Sequence, residues 1–84
     1  MQELPNKMHY TKMHGAGNSF ILIENLHSEL QSEDLSVLAL RLCRPSSGPG
    51  ADGFIVLIPS DSSADFGMLF YNADGSLGDR KSVV

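Results

Sequence analysis

The chain has 84 residues and a net charge of −4, and 42% of it is hydrophobic, which excludes a chain disordered throughout. That length admits one small domain with a thin core, because so short a chain buries only about 60–65% of its extended surface. Scattered carboxylates argue against a nucleic-acid surface, whose footprint is a basic patch, and a lone cysteine excludes an internal disulfide and fits a reducing cytoplasm.

Residues 1–7 read as a flexible tail without the basic and apolar segments of a secretory leader, and Pro5 and Asn6 break any pattern. Met8 to Met13 reads as a first strand. A turn at Gly15-Ala16-Gly17 follows, then a second strand from Ser19 to Glu24, led by the apolar run Phe20-Ile21-Leu22-Ile23. Asn18 offers a carbonyl acceptor and an amide donor where the chain straightens, so it is a candidate ligand group or a residue satisfying its own turn. Asn25 to Gln31 is polar and turn-like.

Ser32 is the expected N-cap of a helix, with Glu33 and Asp34 in its first turn. Leu35, Leu38, Ala39 and Leu42 recur at helical spacing, and Pro45 ends the helix. Cys43, at the end of that helix, has no activating base beside it in sequence and reads as a small buried thiol. Pro45 to Gly53 is a loop. Phe54 to Ile58 reads as a strand buried on both faces, and its length is far short of a bilayer span. Phe66 to Tyr71 is a further strand, and Asn72-Ala73-Asp74-Gly75-Ser76 a turn with a hairpin signal in Asp-Gly. Beyond it, residues 77–84 show neither a period nor a natural stop.

Three constellations compete for a function. Gly48-Pro49-Gly50-Ala51-Asp52-Gly53 spells G-x-G-x-x-G, but a pyrophosphate site needs those glycines between a strand and a helix N-terminus. Here the helix precedes and the strand follows, so the nucleotide reading is rejected. His9, His14 and His27 share no metal-ligand spacing with one another or with Cys43, so no metal is expected. His14, beside the glycine turn, has a side chain suited to general-base work or to orienting a loop.

Three segments taken together resemble the N-terminal part of the diaminopimelate epimerase family. They are Met8 to Phe20, which contains Lys12-Met13-His14-Gly15-Ala16-Gly17-Asn18-Ser19-Phe20; Leu42-Cys43-Arg44 with Gly48 to Gly53; and Phe70 to Ser76. The resemblance implies a cofactor-independent isomerase that interconverts LL- and meso-diaminopimelate in lysine and peptidoglycan precursor synthesis. It also implies two similar domains with the active site between them, and one cysteine from each domain as a thiol/thiolate pair on opposite faces of the substrate α-carbon. Thiolates in a dry, electropositive site can serve as such bases. By position, Asn18 and Asn72 would be substrate-binding groups of the first domain.

The departures from that pattern are specific. Ser19 stands where the family has aspartate, and Pro49 where it has an aliphatic residue. The family's catalytic cysteine falls on Lys81, so no catalytic residue is assigned to this chain, and Cys43 matches neither thiol. The expected fold is α+β: residues 8–84 as an incomplete first domain, with a divergent end at 77–84, whose strands would wrap a central helix lying past the missing motif. The expectation is therefore a truncated or frame-disrupted epimerase, inactive alone and unstable for want of that helix. Its partner in intact form would be the small molecule diaminopimelate, with no nucleic acid, membrane or cofactor. The alternatives are a non-catalytic binding fragment that keeps Asn18 and Asn72, and a piece of a related amino-acid racemase.

Overall fold

Apolar alternation on neighbouring strands creates a sheet whenever turns bring those strands side by side, and the turns here do so in chain order. The computed structural model describes residues 9–27, 29–60 and 65–83. Its elements are β1 (Thr11–Gly15), β2 (Asn18–Glu24), α1 (Ser32–Cys43), β3 (Gly53–Pro59), β4 (Phe66–Asn72) and β5 (Leu77–Val83). The five strands form one sheet in the order β1-β2-β3-β4-β5. Only β2 and β3 are parallel, and α1 is the long crossover such a pair requires. One mixed sheet with one helix is an α+β arrangement, as expected; the expected tail at 1–7 lies outside the described residues.

Side chains alternate between the faces of the sheet. Ile21 and Ile23 of β2, Phe54 and Val56 of β3 and Tyr71 of β4 meet Leu35, Leu38, Ala39 and Cys43 of α1 in a single buried cluster. The rings of Phe54 and Tyr71 pack tilted at 48° with centroids 6.1 Å apart. Phe20, Leu22, Ile55, Leu57, Met68 and Phe70 occupy the other face, as the register Leu22–Ile55–Phe70 and Leu57–Met68 requires. No helix covers that face among the described residues. Of these six only Ile55 is buried, enclosed by its strand neighbours.

Three sequence expectations need correction. The helix N-cap is Gln31, not Ser32: the Gln31 carbonyl accepts the first helical bond from Leu35 N at 3.0 Å, and its amide donates to Asp34 Oδ2, also at 3.0 Å. An acidic residue three places into the helix closes the reciprocal cap from that position. The first strand begins at Thr11 and extends to Gly15, because pairing with β2 rather than the chain's own β-propensity sets its limits. The patternless end is a strand: β5 pairs antiparallel with β4 from Phe66–Val83 to Tyr71–Leu77, with a register shift at Phe70/Tyr71. Its Asp79-Arg80-Lys81 run carries no apolar alternation, which suits an exposed edge that must not recruit further strands.

The uncovered face predicts how the chain behaves in solution. Sedimentation velocity is expected to show concentration-dependent association, with hydrophobic-dye binding and a shallow thermal melt. Leu57→Lys, on the uncovered face, should reduce association and leave the far-ultraviolet circular dichroism intact. Val56→Lys, one residue away on the helix face, should abolish the fold, because a charge there has no partner. A monodisperse monomer with a cooperative melt would count against the whole account of the uncovered face.

Candidate functional site

Two turns at the same end of the sheet carry the polar residues of interest. The first is the β1–β2 loop, Ala16-Gly17, with φ of 51° and 82°. Positive φ at both central residues gives the primed hairpin geometry whose twist matches that of the strands. Gly15 and Asn18 close this hairpin as its last pair. Asn18 is exposed, and it lies two residues before Phe20, so the two share the uncovered face.

The second turn joins β4 to β5. Asn72 ends β4 opposite Gly53, which in turn pairs with Phe20. Asn72 therefore shares the face of Phe20 and Asn18, and roughly 12 Å separates the two asparagines, given strand spacings near 4.8 Å and a two-residue offset. The turn is closed by Asn72 N donating to Ser76 O at 2.8 Å and Gly75 N donating to Asn72 O at 3.0 Å. The Asn72 side-chain amide donates to Ser76 Oγ at 3.0 Å. Asp74 Oδ1 accepts from Ser76 N at 2.9 Å and from Ser76 Oγ at 2.6 Å. These bonds, that of the hydroxyl first, hold the Asp74 carboxyl below its ordinary range.

Helix α1 grips this second turn from behind. Ser36 Oγ donates to Gly75 O at 2.5 Å. Gly75 has φ of 91°, and a Cβ there would sit 2.9 Å from the Ser36 carbonyl oxygen. Both the dihedral and the closeness of the helix backbone require glycine.

Beside the second turn, on the same face, lies an open cleft of about 330 Å³, lined by Phe20, Asp52, Phe70, Asn72, Asp79 and Lys81 among others. Asn72 is in its wall. Asn18 is not; it stands beyond the cleft on the same face. Lys81 extends its ammonium 5.8 Å from the Phe70 ring centre and 3.9 Å from Asp79 Oδ2, both in solvent, where such pairs contribute little to stability. No motif in the sequence marks Phe20, Phe70, Asp52 and Asp79 as residues of one site. For Asp52 a signal existed: like Asn18, it is a polar residue between a glycine loop and a buried strand.

The other candidates fall elsewhere. His14 pairs with Ser19, which by alternation puts it on the helix face, away from the cleft. Cys43 is buried at the end of α1; burial, and secondarily the negative charge of Asp52, raises its thiol pKa. That shift is opposite to what a basic thiolate needs. The Gly48–Gly53 loop uses its amides to terminate α1: Gly48 N donates to Arg44 O, Gly50 N to Leu42 O and Ala51 N to Cys43 O, at 2.9–3.0 Å. Amides committed to helix carbonyls cannot cradle a phosphate, which agrees with rejecting the nucleotide reading.

No protein-family model matches the chain. Curated relatives do. The diaminopimelate epimerase of Pelotomaculum thermopropionicum is 46% identical over 69 residues, covering 82% of this chain and 24% of the relative. That of Caldanaerobacter subterraneus is 49% identical over 69 residues, covering 82% and 23%. That of Bacillus subtilis is 41% identical over 73 residues, covering 87% and 25%. The chain matches a segment of diaminopimelate epimerase. It spans about a quarter of the length of these relatives. No helix among the described residues is long and apolar enough to cross a membrane.

The turn carrying Asn72 gives two expectations. Gly75→Ala should lower unfolding stability in denaturant by about 2 kcal/mol, through the strained dihedral and the Ser36 carbonyl. Asp74 has a depressed folded-state pKa, so its contribution is complete above the ordinary aspartate value and is lost as pH falls through the lowered one. The Ser76 amide resonance should therefore titrate below the ordinary aspartate range, and Asp74→Asn should remove that transition.

Proposed function

We propose that this chain forms one side of the substrate cleft of a diaminopimelate epimerase, binds the substrate weakly and does not itself catalyse epimerisation. The observation that carries this reading is the location of Asn18 and Asn72 on one face at one end of the sheet. The similarity to diaminopimelate epimerases over most of the chain supports it. In this reading each asparagine hydrogen-bonds one polar end of a small amino-acid substrate, with carbonyl and amide serving ammonium and carboxylate respectively. No cofactor takes part.

Inversion at an α-carbon needs one group to remove the proton and another to return one from the opposite face. The family's first-domain thiol has no counterpart in this sequence. Lys81 occupies the position of the family's thiol, and Cys43 is buried with a raised pKa. Residues 8–84 thus act as an incomplete first domain, with a small-molecule partner rather than nucleic acid, in the cytoplasm where a lone thiol stays reduced. Half a cleft binds poorly because its polar groups remain in water, so the affinity should be on the order of 1 mM.

Calorimetry with meso-diaminopimelate should give saturable binding that Asn72→Ala abolishes. Incubation in deuterium oxide should leave the substrate α-hydrogen unexchanged. Deuterium incorporation would overturn the non-catalytic assignment, and absence of binding would overturn the assignment of Asn18 and Asn72 as ligands.

A further inference from the structure

We propose that Asp52 is a positioning residue for Asn18, an inference that rests on the reading of Asn18 as a substrate ligand. A two-residue loop makes Gly15 and Asn18 the hydrogen-bonded pair, so the next pair, His14 and Ser19, exchanges no bonds between β1 and β2. The N–H and C=O of Ser19 therefore point towards β3. But β3 begins only at Gly53, opposite Phe20, so no residue of that strand places a carbonyl before the Ser19 N–H.

Asp52 supplies both partners. Its amide donates to Ser19 O at 2.9 Å, and its carboxylate Oδ2 accepts from Ser19 N at 2.7 Å, with a longer contact of 3.4 Å from Ser19 Oγ. The side chain thus replaces the missing backbone carbonyl and extends the parallel ladder by one rung. A short bond to a carboxylate is stronger than the neutral ladder bond it replaces.

The peptide that this carboxylate holds is the one joining Asn18 to Ser19. Its plane contains the Asn18 carbonyl and the Ser19 N–H, so with the Gly15 pairing holding the other side of Asn18, fixing this plane sets ψ of Asn18 and the direction of its Cα–Cβ bond. Lys12 of β1 reaches the same loop, donating from Nζ to Pro49 O at 3.3 Å. Asp52 is at once in the wall of the cleft that holds Asn72. One carboxylate therefore relates the Asn18 hairpin to the strand that separates it from Asn72. Ser19, which stands where the resembling family has aspartate, suits this arrangement because its hydroxyl adds a donor rather than a second negative charge.

The test compares Asp52→Ala, which removes the acceptor, with Asp52→Asn, which keeps a carbonyl oxygen in the same place. Amide hydrogen exchange is followed at Ser19, with Ile23 of β2 as the internal reference, and meso-diaminopimelate binding is measured by calorimetry. Asp52→Ala should speed Ser19 exchange about tenfold or more, the effect of losing a hydrogen bond to a charged group. Ile23 should be unaffected, diaminopimelate binding should be lost, and Asp52→Asn should restore both protection and binding. Equal acceleration at Ser19 and Ile23, or failure of asparagine to restore protection, would overturn the inference by making Asp52 a general stabiliser or a mere charge. A Ser19 amide that exchanges at unfolded-chain rates in the unsubstituted protein overturns it too. Unsubstituted protein that protects Ser19 yet binds no diaminopimelate refutes the ligand role of Asn18 while supporting the tether.

Discussion

Two parallel strands cannot be joined by a tight turn, so pairing β2 with β3 obliges the chain to cross the sheet through α1 and return. That constraint explains most of what surrounds it. Ile21, Ile23, Phe54 and Val56 form the seam beneath the helix, all at 2% exposure or less. The return loop must end α1 and start β3 within a few residues, and it does so by committing the amides of Gly48, Gly50 and Ala51 to helix carbonyls. The start of β3 is thereby fixed beside the start of β2, and two polar turns distant in sequence come to one end of the sheet.

The turns are held by different means. The Ala16-Gly17 hairpin depends on backbone geometry that glycine tolerates and alanine accepts at some cost. The Asn72–Ser76 turn depends on side chains: Asp74 and Ser76 within it, and Ser36 of α1 behind it. The helix thus serves the cleft without entering it. Its apolar face builds the core, and one hydroxyl on its flank steadies the turn that carries Asn72.

The sheet is unequal on its two faces. Under α1 it has an ordinary core. On the other face a half-buried apolar surface with Phe20, Leu22 and Phe70 lies in and beside the cleft, and full burial of such side chains stabilises a fold by about 1.5–3 kcal/mol each. A chain matching a quarter of an epimerase therefore has the polar fittings of a cleft on a surface whose apolar part is uncovered.

Local sequence determined the turns, the helix and the three apolar strands, because each has a signal within a few residues: paired glycines, the Leu35-Leu38-Ala39-Leu42 spacing, the Phe54–Ile58 run. It also marked Asn18 and Asn72, through their motifs. What it could not supply was the existence of β5, whose polar residues become a strand only because β4 offers an open edge after the Asp74-Gly75 turn. Nor could it reveal the role of Asp52, since a carboxylate standing in for a ladder carbonyl is defined by where the neighbouring strand begins. The lining by Phe20, Phe70 and Asp79 likewise follows from register, which brings residues fifty and more apart in sequence to one cleft. Propensity and turn chemistry act over a few residues and can be read along the chain; pairing across strands acts over the whole fold, and only tertiary structure decides it.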